Sequence, residues 1–276
     1  TKKIAIANKE SIICGWNLIQ AQLKKYKTEF IPVDSEHFSI WYGLKNSENK
    51  RLEKMFLTAS GGPFQKTSLN NFKNIKVSDA LKHPNWKMGK KISIDSATLM
   101  NKLFEVIEAK KIFNLEINKF EIIIHPKSYI HAIVHFKNGL VKFLGHDTNM
   151  SVPIINSLYL NKIFDYNDKD LNFSMLNGLN FIKPDRKKFP VLKLLKLLPK
   201  KTTYFETILI TINDYLVDKY LIGVINYHSL NVNLIKLIKN PYFTRYYTFG
   251  PKNIIDINNM VKKVVSYLNK IKLNEI

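Results

Sequence analysis

Residues 93–108 have the sequence SIDSATLMNKLFEVIE, in which polar and apolar residues recur at helical spacing. Asp95 or Ser96 is a suitable N-cap, so the stretch predicts a helix that runs to about Phe113. At about 100° per residue, its polar side chains fall within one arc of the helix surface, and apolar side chains cover the rest. The polar arc consists of Thr98, Asn101, Lys102, Glu105 and Glu108.

This arc of amide, ammonium and carboxylate groups allows two interpretations. Glu105 could ligate a metal ion while Asn101 and Lys102 bind an anion. Alternatively, the helix is simply amphipathic, and Lys102 and Glu105 form an i,i+3 pair that contributes roughly a few tenths of a kcal/mol. The helix alone does not decide between them.

Upstream of this helix the pattern is strand, helix, strand. Lys3 to Ala7 predicts a short buried strand, Ile12 to Lys25 has helical spacing, and Glu29 to Val33 predicts a second strand. Asp34 and Glu36 follow, and the strand period of two would project both carboxylates to one side. Two hard oxygen ligands on one side suit Mg²⁺ or Mn²⁺, whereas two solvated acids at a strand end are the alternative.

Two loops hold further candidate residues. The predicted strand from Lys54 to Ala59 enters Ser60-Gly61-Gly62-Pro63, whose glycines would let backbone N–H groups approach an anion, or would simply form a tight turn. Residues 82–90 form a second loop that contains Pro84 and Gly89. Trp86 in this loop is either the tip of a mobile lid or a side chain folded back on the core.

The following residues predict an antiparallel sheet and then helices. His125, His131 and His135 have even spacing and could line one face, although a structural role is the simpler interpretation because no partner lies at zinc-motif spacing. Residues 161–190 are polar and asparagine-rich, as in a linker, and residues 191–276 have mostly helical spacing. The candidate strands are Phe120 to Ile124, Ile130 to Phe136 and Leu140 to Leu144, the last two joined by a turn at Asn138-Gly139.

The composition excludes several classes of protein. Hydrophobic residues make up 45% and charged residues 24% of the 276 residues, which is typical of a globular protein and excludes a disordered or collagen-like chain. The longest apolar runs are far shorter than the roughly 20 residues that a membrane span needs. Cys14 is the one cysteine of the sequence, so an internal disulfide is excluded and a reducing compartment is expected.

The net charge of +21 would ordinarily suggest a nucleic-acid or acidic-membrane partner. Only Arg51, Arg186 and Arg245 among the 43 basic residues are arginine, however, whereas nucleic-acid recognition favours the arginine fork. The lysines are spread along the chain without clusters. We therefore interpret the charge as a solvated, compositionally biased surface and expect neither a nucleic-acid nor a membrane partner.

Five motifs occur in a fixed order along the first part of the chain. They are Ala7-Asn8-Lys9-Glu10-Ser11, Pro32-Val33-Asp34-Ser35-Glu36-His37, Ser60-Gly61-Gly62-Pro63-Phe64, His83-Pro84-Asn85-Trp86-Lys87-Met88-Gly89 and Ser93-Ile94-Asp95-Ser96-Ala97-Thr98-Leu99-Met100-Asn101-Lys102. In this combination the chain closely resembles the 1-deoxy-D-xylulose-5-phosphate reductoisomerase family. The likeness is dense from Ile6 to about Met150 and thin afterwards.

The resemblance implies an oxidoreductase and isomerase of the non-mevalonate isoprenoid pathway. Such an enzyme uses NADPH and a divalent cation (Mn²⁺, Mg²⁺ or Co²⁺) to rearrange and reduce 1-deoxy-D-xylulose 5-phosphate to 2-C-methyl-D-erythritol 4-phosphate. The resemblance also implies a small phosphorylated sugar as substrate and a homodimer. The composition, rich in lysine, asparagine and isoleucine, fits an AT-rich bacterium or a plastid-bearing parasite, so we expect the bacterial cytoplasm or a plastid as the compartment. A non-catalytic remnant, or a basic protein that binds a polyanion on the same scaffold, is the alternative.

The resemblance also assigns roles to single residues. Asp34, Glu36 and Glu105 would ligate the metal and, with Lys9, act in catalysis. The substrate would contact Lys9, Ser35, Glu36, Ser60, His83, Trp86, Ser96, Asn101, Lys102 and Glu105, with Trp86 and Met88 on a closing flap. NADPH would contact Asn8, Glu10, Met88 and Gly89.

The expected fold is α/β, with the end of a dinucleotide-binding domain, an α+β catalytic domain with a mostly antiparallel sheet and a flap loop, and a small C-terminal helical domain. We expect these at residues 1–33, 34–158 and 191–276, with a linker at 159–190. The glycine-rich turn of the family's N-terminal NADPH-binding domain is absent from the sequence, so we expect a fragment. Two departures from the family stand out. Leu103 replaces a glycine, which would push a bulky side chain next to Lys102. The C-terminal helix, which reads Asn-Ala-Ala-Asn-Glu in the family, survives only as Ile210-Thr211-Ile212-Asn213-Asp214.

Overall fold

The computed structural model describes residues 1–45, 51–159, 171 and 173–273. The chain begins with a strand-helix-strand unit, as its sequence pattern predicts. Strands β1 (Lys3–Ile6) and β2 (Glu29–Pro32) are parallel neighbours, joined by helix α1 (Lys9–Lys25). The Asn8 side chain accepts a hydrogen bond from the Ser11 backbone N–H and caps α1.

A four-stranded mixed sheet forms the centre of the molecule. Its strands are β3 (Leu52–Ala59), β4 (Phe120–Ile124), β5 (Ile130–Phe136) and β6 (Val141–Gly145), in the order β4-β3-β5-β6. The expectation of a mostly antiparallel sheet is correct for β3 with β5 and for β5 with β6. Strand β4 differs, because it runs parallel to β3 and both therefore end at the same edge.

Helices cover the sheet and extend beyond it. In chain order, they are α2 (Ser35–Leu44), α3 (Val77–Ala80), α4 (Lys90–Ala97), α5 (Met100–Phe113), α6 (Ser151–Leu158), α7 (Phe173–Leu176), α8 (Tyr204–Leu221), α9 (Tyr227–Ile238), α10 (Pro241–Thr244) and α11 (Ile254–Leu268). Short 3₁₀ segments lie at Leu69–Asn74, Ile117–Lys119 and Pro190–Leu197. Within the described residues, none of the helices is both long and apolar enough to cross a lipid bilayer.

Helix α5 is the central element of the core. Its residues Leu103, Phe104 and Ile107 belong to a large apolar cluster that also includes buried residues of α8, α9 and α11. Val106 and Ala109 belong to a second cluster between α2 and the sheet. Asn101, Lys102 and Glu105, on the polar arc of α5, instead line a cavity together with residues at the end of β3.

Three expectations from the sequence are corrected by the structure. Asp34 and Glu36 do not lie on a strand, because β2 ends at Pro32, Asp34 is the residue before α2 and Glu36 is in the first helical turn. The single helix expected from Asp95 to Phe113 is instead α4 and α5, separated at Leu99, whose φ of 59° is left-handed. Leu103 does not crowd Lys102, because its side chain is fully buried in the large apolar cluster.

The domain boundaries expected from the sequence remain predictions. Part of the expected linker, residues 160–170 and 172, lies outside the described residues. The described part of residues 191–276 is mainly helical, as its spacing predicts.

Candidate active site

Three carboxylates meet where α2 and α5 approach the end of the sheet. Asp34 immediately precedes α2, Glu36 lies in its first turn, and Glu105 lies on the polar arc of α5. One oxygen from each carboxylate lies within 4.8 Å of the others. Asp34 and Glu36 therefore converge because both lie at the start of a helix, not because they lie on one side of a strand as predicted. Glu105, 69 residues after Glu36 in the sequence, completes the group.

Two lysines and an amide surround these carboxylates. Lys9 Nζ lies 2.9 Å from Asp34 Oδ2 and 2.8 Å from Asn101 Oδ1, to which it donates a hydrogen bond. Lys102 Nζ lies 2.6 Å from Glu36 Oε1 and also contacts Glu105 Oε2. Asn101 Nδ2 donates to Glu105 Oε1 at 2.6 Å. Once Glu105 is ionised, three carboxylates face two ammonium groups, an excess of negative charge that favours a cation.

The electrostatic environment differs between the two glutamates. Burial, together with the nearby Glu36 carboxylate, raises the pKa of Glu105 to about 8 despite the two ammonium groups. Burial also disfavours the charged form of Glu36, but the Lys102 ammonium outweighs it and the pKa of Glu36 is lowered. Burial likewise disfavours the Lys102 ammonium, but Glu105 and Glu36 outweigh it and raise the pKa of Lys102. Lys102 is therefore held as a cation between two unequal acids.

Next to these groups lies a buried pair, His37 and Glu108, to which the sequence pattern assigns no role. His37 Nε2 lies 2.8 Å from the Glu105 backbone oxygen, and His37 Nδ1 lies 3.6 Å from Glu108 Oε2. Asp34, His37 and Glu108 also lie close enough together to hold an ion. The signal in the sequence was the i,i+3 spacing of Asp34 with His37 and of Glu105 with Glu108, which places each pair on one side of its helix.

A cavity of about 280 Å³ opens beside the carboxylates. Among the residues predicted to bind substrate or metal, it is lined by Lys9, Asp34, Ser35, Glu36, Ser60, His83, Trp86, Ser96, Asn101, Lys102 and Glu105. Met88, predicted to contact NADPH, also lines it, as do His131 and Met150.

The loop that precedes α4 is organised by His83. Its Nδ1 accepts hydrogen bonds from the backbone N–H groups of Asn85 (3.2 Å) and Trp86 (2.9 Å), while its Nε2 lies 3.0 Å from Ser60 Oγ. Burial and the Lys102 charge lower the pKa of His83 to about 4, so the ring is neutral at neutral pH. Trp86 is half-buried against the edge of the His131 ring, with centroids 6.0 Å apart. Trp86 thus lines the cavity and also contacts the sheet, and the closing of its loop as a lid stays a prediction.

The other residues predicted to bind NADPH lie outside the lining of this cavity. Asn8 caps α1 and donates to Glu10, which also pairs with Lys91 at 3.0 Å. Gly89 is the N-cap of α4. Asn8 and Gly89 are exposed.

His125, His131 and His135, which are separated by even numbers of residues, do not share a site. Only His131 lines the cavity. His125 follows β4, stacks on Phe181 and bonds to the Asn180 backbone oxygen, whereas His135 pairs with neighbouring strands within the sheet. Their even spacing does not place them together, because His125 precedes the turn that leads into β5.

Comparison with known proteins identifies the family. Residues 30–113 match the model of the 1-deoxy-D-xylulose 5-phosphate reductoisomerase C-terminal domain, and residues 145–271 match that of the DXP reductoisomerase C-terminal domain. The chain is 56% identical over 260 residues to 1-deoxy-D-xylulose 5-phosphate reductoisomerase of Pelagibacter ubique, covering 94% of this chain and 67% of that protein. It is 40% identical to the enzyme of the same name from a Sulfurihydrogenibium species, covering 86% of this chain and 62% of the relative.

Solved structures agree with these matches. A DOX-P reductoisomerase in complex with NADPH, fosmidomycin and magnesium superposes with a TM-score of 0.88 at 31% identity, covering 97% of this chain and 69% of that one. The Zymomonas mobilis enzyme in complex with NADPH superposes with a TM-score of 0.82 at 28% identity, covering 98% and 69%. The chain thus spans roughly two thirds of the length of these proteins, and it belongs to the 1-deoxy-D-xylulose 5-phosphate reductoisomerase family.

Proposed function

We propose that this chain provides the metal and substrate site of a reductoisomerase that converts 1-deoxy-D-xylulose 5-phosphate to 2-C-methyl-D-erythritol 4-phosphate with NADPH. The observation that carries this proposal is the convergence of Asp34, Glu36 and Glu105 beside a cavity that two lysines also line. The family relationship and the NADPH and magnesium in the related structures support it.

The residues fit a divalent cation. Carboxylate oxygens are the ligands that Mg²⁺ and Mn²⁺ prefer, and with Glu105 ionised the three carboxylates outnumber the ammonium groups of Lys9 and Lys102. We assign Asp34, Glu36 and Glu105 as the ligands. When bound, the ion would act as a Lewis acid and template for the oxygens of the sugar.

Around the metal ligands, the polar groups suit a phosphorylated sugar. Ser60, Ser96 and Asn101 offer hydrogen-bond donors, and Lys102 supplies the charge that a phosphate needs. Neutral His83 accepts at Nδ1 from two backbone N–H groups, so its Nε2–H donates to Ser60 Oγ. Lys9 and Ser35, beside Asp34 and Glu36, would contact the sugar portion.

We place NADPH on the side of the cavity that Met88 lines, near Asn8, Glu10 and Gly89. The cofactor would supply hydride to the rearranged carbonyl. Trp86 would shield the reacting atoms from water when the 83–89 loop closes. We further propose a homodimer, located in a bacterial cytoplasm or a plastid, with neither a nucleic acid nor a membrane as partner.

The test is a calorimetric titration of the chain with 1-deoxy-D-xylulose 5-phosphate, with and without Mn²⁺. Binding should depend on Mn²⁺ and be lost in Glu36→Gln, because the metal then lacks a ligand. Glu121→Gln is the control, since Glu121 pairs with Lys54 at the surface far along the sheet. Binding that falls steeply with salt and ignores Glu36 would instead indicate a polyanion-binding protein.

A further inference from the structure

The junction between α4 and α5, residues Ala97 to Leu99, is tied to the C-terminal helices by two buried hydrogen bonds. Tyr227 Oη, at the start of α9, donates to the Ala97 backbone oxygen at 2.6 Å. Asn213 Nδ2 on α8 donates to Asp95 Oδ1 at 2.7 Å. Both side chains are almost completely buried, Tyr227 at 0% and Asn213 at 1% exposure.

The conformation of this junction requires support from outside. Leu99 has a left-handed backbone with a φ of 59°, a conformation that is unfavourable for a residue with a side chain. The break also leaves the last carbonyl groups of α4 without the partners that a continuous helix would supply. Tyr227 satisfies one of them, at Ala97.

The junction determines where the predicted phosphate-binding groups lie. Ser96 precedes it, and Asn101 and Lys102 follow it within the first turn of α5. The loop Ser60-Gly61-Gly62-Pro63, called the glycine loop below, packs directly against the α4–α5 junction. A Cβ atom at Gly62 would lie 3.1 Å from both the Ala97 Cα and the Ser96 backbone oxygen. A shift of Ala97 would therefore move both Ser96 and the glycine loop, which contains Ser60.

We infer that Tyr227 is a positioning residue for substrate binding, which acts by fixing the α4–α5 junction from the C-terminal helices. Asn213 has the same role at Asp95. The inference rests on the proposed function, since it concerns the affinity of that same site. It also assigns a role to Asn213, the residue that survives from the altered C-terminal motif.

The experiment compares Tyr227→Phe with Tyr247→Phe in the full chain. Tyr247 Oη also donates to a backbone oxygen, that of Ile238, at 2.6 Å, so both variants lose the same kind of bond. Tyr227→Phe keeps its ring contacts with Phe64 and Phe72, so the fold should be retained. Thermal midpoints, the Kd for Mn²⁺, and the Kd for 1-deoxy-D-xylulose 5-phosphate with Mn²⁺ are measured for both.

We expect a similar fall in thermal midpoint in the two variants, but a rise of roughly three- to tenfold in substrate Kd only for Tyr227→Phe, the loss expected for one hydrogen bond. The Kd for Mn²⁺ should change less than twofold. Asn213→Ala should raise substrate Kd in the same way.

Two results would overturn the inference. If Tyr227→Phe matches Tyr247→Phe in substrate Kd, the Tyr227 bond is merely structural while the proposed function stands. If the unsubstituted chain fails to bind the sugar phosphate with Mn²⁺, the proposed function itself is wrong, and with it the positioning role.

Discussion

Glu105 is the residue on which the candidate site depends most. Its carboxylate is almost completely buried, at 1% exposure, and lies among other acids. Burial and the Glu36 charge raise its pKa to about 8, so the ionised form of Glu105 is unfavourable unless a nearby cation stabilises it. Lys102 partly supplies that charge, and a divalent ion would supply more.

Glu105→Gln is expected to weaken Mn²⁺ binding by roughly a hundredfold, because the amide removes a charged ligand from an already small set. Calorimetry with MnCl₂ measures the effect. Glu108→Gln distinguishes the two acidic groups of the structure, since Glu108 lies with Asp34 and His37 rather than with Glu36. Strong loss in Glu108→Gln with little loss in Glu105→Gln would place the ion in the deeper group.

The buried carboxyl group of Asp95 should make the free energy of unfolding depend on pH. Burial raises its pKa to about 6 from the ordinary 3.8, despite Lys91 and Asn213. The native chain therefore binds this proton more tightly than the unfolded chain, so its contribution to stability falls as pH rises from about 4 to 6 and stays lost above. The difference between the two pKa values corresponds to roughly 3 kcal/mol.

Asp95→Asn should remove this fall, because the amide is neutral at every pH and its oxygen can still accept from Asn213. Urea unfolding between pH 4 and 7 measures the free energy of unfolding of both proteins. The difference between the variant and the unsubstituted chain should shift in favour of the variant as pH rises. Asp79→Asn, which alters an exposed pair with Lys82, is the control. Parallel curves for Asp95→Asn and the unsubstituted chain would refute the assignment.

At the scale of elements, the site is built at helix starts and breaks. Asp34 and Glu36 stand at the start of α2, and Ser96 and Asn101 flank the α4–α5 junction. The sequence predicted the polar arc of α5, because its period is local. It did not predict the break at Leu99, because a left-handed leucine has no local signal and is stabilised by tertiary contacts from Tyr227 and Gly62.

The same distinction explains the rest of the site. Strands β3 and β5 are predicted from the sequence, but the parallel pairing of β4 is not, since register and direction depend on partners distant along the chain. Likewise, the motifs predicted the residues of the cavity through their family resemblance, while the buried pair of His37 and Glu108 became evident only from the packing of α2 on α5.

Gly62→Ala tests the close packing of the glycine loop on the junction. Gly62 has a φ of 63°, and its Cβ would meet backbone atoms of residues 96 and 97 at 3.1 Å. We expect lower thermal stability and weaker sugar-phosphate binding. Gly178→Ala is the matched control, because Gly178 has a φ of 66° but open space around it. Equal effects of the two substitutions on both measurements would mean that backbone strain alone matters and that the contact does not.

At the scale of the whole molecule, one apolar cluster joins α5 to the C-terminal helices. A buried ion pair also links α5 to α8, since Lys111 Nζ of α5 lies 2.8 Å from Glu206 Oε1 of α8. Glu206 also forms the capping box of α8 with Thr203. The site and the C-terminal helices should therefore unfold together.

Lys111→Met should lower the free energy of unfolding by roughly 3–5 kcal/mol, because it leaves the buried Glu206 carboxylate without its counter-charge. Lys54→Met, which breaks an exposed pair with Glu121, should cost about 1 kcal/mol or less. Denaturant unfolding followed by circular dichroism measures both. A small effect of Lys111→Met, or separate transitions in the unsubstituted chain, would contradict this account.

The most direct measurement for the central claim is X-ray anomalous scattering at the manganese edge from crystals of the chain soaked with Mn²⁺. We expect one strong peak, marking a manganese ion within bonding distance of an oxygen from each of Asp34, Glu36 and Glu105. A peak at His37 and Glu108 instead, or no peak at these carboxylates at saturating Mn²⁺, would contradict it.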